Sequence, residues 1–159
     1  MSGRGRYEPG IKIGLRRATD REVVMAVAKQ MLETYPKDLG GVDKDKLLAC
    51  VEACVECAQA CTACADACLS EDGVAELTKC IRGNLDCADI CETTARVLSR
   101  HTGYDANITR AVLEACAQVC KSCGDKCDEH ASMHEHCRVC AQACRRCEQA
   151  CSDLIGSLG

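Results

Sequence analysis

The chain has no phenylalanine and no tryptophan, and it has only three tyrosines. A core of this composition lacks the large side chains that usually fill the interior of a domain of 159 residues. Proline is scarce as well, because both prolines, Pro9 and Pro36, precede residue 37. Since proline interrupts helices, the long proline-free remainder indicates helical structure.

Export and membrane signals are missing too. The first 17 residues carry five Lys or Arg against one Glu but contain no apolar segment. No stretch approaches about 18 uninterrupted apolar residues, the length of a membrane span. We therefore expect a cytoplasmic protein with no membrane partner. A net charge of −4 gives no sign of nucleic-acid binding.

Cysteine is the residue in excess, at 18 of 159 positions. In a reducing cytoplasm, clustered cysteines indicate metal more often than disulfides. The spacing is regular: residues 50–68 read CVEACVECAQACTACADAC, in which the gaps between cysteines alternate between four and three. Related segments recur along the chain as CAQAC at 57–61 and 140–144, CADAC at 64–68, CADIC at 87–91 and CAQVC at 116–120.

Boundary signals divide the chain into five predicted helices. Residues 1–18 are expected to form a flexible basic arm and residues 19–36 a short helix that ends at Pro36. Residues 43–156 are expected to hold four longer helices joined by short turns, which predicts an all-α, antiparallel up-down-up-down four-helix bundle with a short extra N-terminal helix. The predicted N-terminal caps of the long helices are, in order, Asp43, then Ser70 or Asp72, then Asp105 or Asn107, and last Ser132 in a capping box with Glu135.

The cysteines follow the spacing of core positions. Gaps that average 3.5 residues are those of the a and d positions of a heptad, which face the partner helices. We therefore expect all the sulfurs to line one channel, about 27 Å long between Cys50 and Cys68 at 1.5 Å per residue. The predicted metal ligands are Cys50, Cys54, Cys57, Cys61, Cys64, Cys68, Cys80, Cys87, Cys91, Cys116, Cys120, Cys123, Cys127, Cys137, Cys140, Cys144, Cys147 and Cys151.

Metal binding is the interpretation that uses the whole cysteine pattern. Buried thiols used only as small hydrophobes bury less area than leucine would, and a redox relay usually needs one exposed CxxC pair. Thiolates favour Cu(I), Zn(II) or iron–sulfur clusters. Cu(I) accepts two or three thiolates, whereas Zn(II) prefers four tetrahedral ligands, so the continuous pairs favour multiple Cu(I) ions. A metallothionein-like protein that detoxifies zinc or cadmium is the alternative, and a thiol oxidoreductase is a third hypothesis.

The chain resembles the cytosolic copper storage proteins of bacteria. The resemblance rests on the Cys-x-x-x-Cys and Cys-x-x-Cys spacings of all four long helices, the CAQAC-type repeats and the missing export signal, and it covers about residues 43–156. It implies a four-helix bundle that stores many Cu(I) ions on cysteine pairs, without catalysis, and commonly as a homotetramer.

The two ends of the predicted bundle carry different residues. At one end the cysteine rows continue as an apolar plug, and at the other lie imidazole and thioether groups, which suit a copper entrance because they bind Cu(I) more labilely than thiolate pairs. The plug residues are Leu47, Leu98, Leu113 and Leu154; the entrance ligands are His130 and His134, with Met133, His136 and Asn84 as possible entrance or cavity residues.

Overall fold

A computed structural model describes residues 26–158 of the chain. The predicted arm at 1–18 and the first part of the helix predicted for 19–36 lie outside the described residues. Within that range five helices follow one another: α1 (Ala26–Glu33), α2 (Lys44–Leu69), α3 (Val74–Leu98), α4 (Ala106–His130) and α5 (Glu135–Ile155).

The four long helices form the predicted bundle. Helix α2 packs against α3 and α5, and α4 packs against the same two helices, so the four helices enclose one interior. The connections between them are short, and consecutive helices therefore run antiparallel. The short α1 packs against α2. The predicted all-α fold is confirmed.

Two of the predicted helix caps are confirmed. The carboxylate of Asp43 accepts the backbone N–H of Lys46 at 3.1 Å, and that of Asp105 accepts the N–H of Asn107 at 2.8 Å. Each bond satisfies a donor that the first turn of a helix leaves without an intrahelical partner.

The other two caps were predicted wrongly. Helix α3 begins after Gly73, with no side-chain cap, and Ser70 instead ends α2. Helix α5 begins after His134, so the capping box of Ser132 with Glu135 does not form. The reason is that the N–H groups of residues 133 and 134 still bond to the carbonyl of His130, which moves the start of α5 beyond Ser132.

Sulfur takes the place of aliphatic side chains in the core. Every one of the 18 cysteines is at most 2% exposed. The predicted plug leucines are buried at the end where α2 and α4 begin, and Leu77 is buried at the opposite end, in the first turn of α3. The interior is therefore a column of thiols with four buried leucines at one end and Leu77 at the other.

Helix α2 is long and apolar enough to cross a membrane by length and composition alone. Charged residues interrupt its apolar run, so no continuous apolar stretch marks it in the sequence. A core helix of a bundle passes the same test, and the cysteine face of α2 is buried against its neighbours. Its apolar character is accounted for by the core that it lines.

Candidate metal site

The thiols form a continuous column along the bundle axis. All eighteen are free and buried. Sulfur atoms from different helices approach to van der Waals distance from the plugged end to the far end: Cys50 and Cys151 at 3.6 Å, Cys91 and Cys120 at 3.4 Å, and Cys80 and Cys127 at 3.7 Å. Little rearrangement is needed for one ion to bind sulfurs from two helices.

Groups of four potential ligands recur along this column. In each group the ligand atoms lie within 4.8 Å of one another. They include Cys54, Cys116, Cys147 and Cys151; Cys57, Cys87, Cys91 and Cys120; Cys57, Cys61, Cys87 and Cys144; Cys61, Cys123, Cys140 and Cys144; and Cys64, Cys68, His136 and Cys137. The sequence placed all these cysteines on one face of each helix, and the structure brings the four faces together.

Burial favours the protonated form of two thiols at the far end, Cys68 and Cys137. Burial raises the pKa of Cys68 to about 12, and burial is also the main reason that the pKa of Cys137 lies well above its usual value. A charged thiolate without a cation is unfavourable in a dry interior. A metal ion that binds here must therefore displace protons.

Asn84 interrupts the cysteine row of α3 and is completely buried. Its Oδ1 accepts S–H hydrogen bonds from Cys123 at 3.0 Å and from Cys127 and Cys140 at 3.3 Å, while its Nδ2 donates to Cys80 at 3.7 Å. The amide is therefore a hydrogen-bonded centre among four thiols on three helices. Of the two roles that the sequence suggested, this geometry supports the cavity role.

The histidine end comprises the α2–α3 turn and the α4–α5 turn. His136 is the imidazole nearest the thiols, with its Nδ1 at 3.4 Å from the Sγ of Cys64 and 3.5 Å from that of Cys137. His134 lies beside it, with ring centroids 5.4 Å apart. His130 is half-buried at the end of α4, and Met133 is 68% exposed in the turn. Copper ligation by these four residues stays a prediction.

Sequence reasoning missed one residue of this end, Glu71. Its carboxylate lies in the α2–α3 turn and contacts both His134 and His136. In an antiparallel bundle the α2–α3 and α4–α5 turns meet at the same end, so the topology offered a signal. His136 was predicted only as a possible entrance or cavity residue, because its contact with the thiol column arises from the packing of distant helices.

A helical bundle whose interior is built from thiols, with imidazoles at one end, is a container for thiophilic metal ions. Comparison with known proteins assigns the chain to a family. The family model for copper storage proteins matches residues 43–156. The chain belongs to the copper storage protein family.

Similar proteins agree with that assignment. The cysteine-rich protein YhjQ of Bacillus subtilis strain 168 is 36% identical over 94 residues, which are 59% of this chain and 82% of that protein. The copper storage protein Ccsp from Streptomyces lividans, in a structure loaded with 10 copper equivalents, is 68% identical, covers 82% of this chain and 99% of its own, and has a TM-score of 0.82. The Cu(I)-bound copper storage protein BsCsp3 is 36% identical, covers 67% of this chain and 94% of its own, and has a TM-score of 0.60.

A further structure of the Streptomyces lividans protein has two histidines, four positions apart, replaced by alanine. It is 68% identical, covers 75% of this chain and 100% of its own, and has a TM-score of 0.74.

Proposed function

We propose that this protein stores many Cu(I) ions in the cytoplasm, on cysteine thiolates inside the four-helix bundle, and that the ions enter at the histidine end. The observation that carries the storage function is the column of 18 buried thiols. Thiolate is the ligand that Cu(I) prefers, and two solved relatives are described as loaded with copper or bound to Cu(I).

The arrangement of the thiols suits storage of several ions. Neighbouring groups have ligands in common: Cys57 and Cys87 belong to two of them, and so do Cys61 and Cys144. An ion that exchanges one thiolate at a time can therefore move between these groups without leaving sulfur. This favours filling of the interior from one entrance.

The entrance is the second part of the proposal. His130 and His134 are the two histidines of this chain that lie four positions apart, the spacing of the pair replaced in the Streptomyces lividans variant. His134 is part-buried and contacts Glu71, which also contacts His136. Nδ1 of His136 in turn reaches the first thiols. We assign His130, His134 and Met133 to capture of the ion and His136 to its transfer.

The remaining features belong to the same proposal. Storage without catalysis is part of the proposal, and it is supported by the family assignment and by the burial of the thiols. It is cytoplasmic, as the Streptomyces lividans relative is described to be. It forms a homo-oligomer, with a tetramer expected from the family resemblance, and binds neither nucleic acid nor membrane.

Anaerobic titration with Cu(I) against a chromophoric chelator tests the storage function. We expect uptake on the scale of the 18 thiols, and saturation after one or two ions would refute it. Metal analysis of protein produced with both copper and zinc in the medium tests the metallothionein-like alternative. Zinc retained against Cu(I) would favour that alternative.

Replacement of His130 and His134 by alanine tests the entrance. We expect slower Cu(I) loading with nearly unchanged capacity, because the thiol column remains intact. The fourth histidine, His101, packs on Tyr35 at the plugged end, so His101→Ala is the matched control and should load at the normal rate. Loss of capacity with an unchanged rate would contradict the assignment.

A further inference from the structure

One carboxylate oxygen connects the two inner histidines at the copper entrance. Oε1 of Glu71 lies 2.9 Å from Nδ1 of His134 and 3.1 Å from Nε2 of His136. The same oxygen therefore faces opposite ring nitrogens of the two imidazoles. All three side chains are part-buried, with 21% to 35% of each exposed, so the contacts are shielded in part from water.

The chemistry of the carboxylate fixes the protons on the rings. A glutamate carboxylate is ionised at neutral pH and can then only accept hydrogen bonds, here from ring nitrogens at 2.9 and 3.1 Å. Each ring nitrogen that faces Glu71 must therefore carry a hydrogen. In a neutral imidazole the other nitrogen then holds the lone pair, which leaves Nδ1 of His136 and Nε2 of His134 as the available metal ligands.

The free nitrogen of His136 points at the thiol column. It lies within 3.5 Å of the sulfurs of Cys64 and Cys137, and it belongs to the ligand group that Cys68 completes. The opposite tautomer would place a hydrogen on Nδ1, where a metal ion shared with these sulfurs needs a lone pair. The tautomer thus decides whether the imidazole and the first thiols can hold one ion.

We propose that Glu71 is the positioning residue of the copper entrance. It holds His134 as the Nδ1–H tautomer, so that Nε2 of His134 receives the ion first. It holds His136 as the Nε2–H tautomer, so that Nδ1 of His136 and the neighbouring thiols then bind the incoming Cu(I). Glu71 acts through the histidines and does not bind the ion. This inference rests on the proposed function, because it describes how the same entrance works.

Three variants separate hydrogen-bond acceptance from charge. Glu71→Ala removes both. Glu71→Gln removes the charge but keeps a carbonyl oxygen that accepts from both rings. Asp72→Ala removes a carboxylate from the same turn, where the side chain is exposed, and is the matched control. Circular dichroism of the apo variants checks that each one is folded.

The first measurement is the tautomer itself. Long-range proton–nitrogen NMR spectra of the apo protein, at a pH at which the rings are neutral, report which nitrogen of each histidine carries the hydrogen. We expect Nε2–H for His136 and Nδ1–H for His134 in the wild type, Glu71→Gln and Asp72→Ala, and a mixture of tautomers in Glu71→Ala. A wild-type spectrum with hydrogen on Nδ1 of His136, or an Ala variant with unchanged tautomers, would overturn the proposal.

The second measurement is the rate of Cu(I) loading, followed by anaerobic stopped-flow absorption at less than one ion per chain. Loss of an outer hydrogen-bond partner typically weakens a metal site by about tenfold or more, so we expect the first loading phase of Glu71→Ala to slow by about tenfold, and that of Glu71→Gln to match the wild type. Equal slowing in both variants would show that charge is decisive and would overturn the tautomer role. Failure of copper storage itself would appear separately, as a low capacity of the wild type in the equilibrium titration.

Discussion

Copper loading should raise the thermal stability of the bundle, because the apo core is built from small side chains. Each cysteine has two fewer side-chain heavy atoms than a leucine at the same core position. At about 0.8 kcal/mol per buried methylene, a thiol core forgoes on the order of 1–2 kcal/mol of apolar burial at each position. All 18 positions are at most 2% exposed, so the loss applies along the whole column.

Bound ions add to the stability by linkage. One ion at a free concentration 100 times its Kd adds about 2.7 kcal/mol if it binds the folded chain alone. For a domain of this size 1 kcal/mol shifts Tm by about 4 °C, so the first ion is expected to raise Tm by about 10 °C. The unfolded chain keeps its thiols and binds some Cu(I), so this value is an upper one. The observed rise in Tm measures how much more tightly Cu(I) binds the preformed ligand groups of the folded chain, whose ligand atoms lie within 4.8 Å of one another, than it binds the unfolded chain.

The assay is anaerobic thermal unfolding followed by far-UV circular dichroism, with free Cu(I) set by a chelator buffer. Tm should rise step by step with the number of ions bound. The variant with His130 and His134 replaced by alanine is the control, because an entrance affects the rate of loading and leaves the equilibrium stability of the loaded protein nearly unchanged. A constant Tm in samples that demonstrably contain copper would refute the reasoning, since ions inside the core must favour the folded state.

Two further predictions concern the thiols at the entrance and the plug. Burial raises the pKa values of Cys68 and Cys137, so these thiols must lose their protons when Cu(I) binds. We expect the Cu(I) affinity to rise with pH by about tenfold per pH unit for each proton released, as measured by chelator competition at several pH values. A pH-independent Kd would contradict this. Leu113 is fully buried in the plug, so Leu113→Ala should lower the free energy of unfolding of the apo protein by about 2–5 kcal/mol in denaturant titrations. The control is Leu85→Ala, at a position that is 46% exposed, which should change this free energy by less than about 0.5 kcal/mol. Equal effects of the two leucine variants would show that the plug does not support the fold.

The fold was predictable because its signals are local and repeated. Alternating gaps of three and four define one face of a helix whatever lies opposite, and Asp43 and Asp105 cap their helices through bonds to residues two or three positions ahead. The caps predicted at Ser70 and Ser132 failed because those turns continue by backbone hydrogen bonds past the polar residue. A serine near the start of a helix therefore predicts a cap only where the backbone of the adjoining turn does not continue past it.

The candidate site was predictable only in part, because its entrance depends on contacts between distant turns. The thiol column follows from the spacing of cysteines on each helix. The contact between Glu71 and His136 joins the α2–α3 turn to the start of α5, which are far apart in the chain, and no periodicity connects them. Asn84 shows the same limit: its place in the row was evident, but its bonds to thiols of three helices were not.

Charge balance in the core explains why a column of thiols suits Cu(I) better than Zn(II). A dry interior favours a neutral thiol over a thiolate that has no cation. A Cu(I) ion that replaces one thiol proton keeps the interior neutral when its second thiolate is shared with a neighbouring ion, and neighbouring groups do have cysteines in common. Thiols filled in this way can take up ion after ion without a growing buried charge. A zinc ion bound by four thiolates leaves two uncompensated negative charges at each site, which is costly in a dry interior unless cations pair with them. The charged side chains that could do so, such as Lys121 and Arg138, lie on the exposed faces of the helices, and their pairs with Asp125 and Glu135 are on the surface.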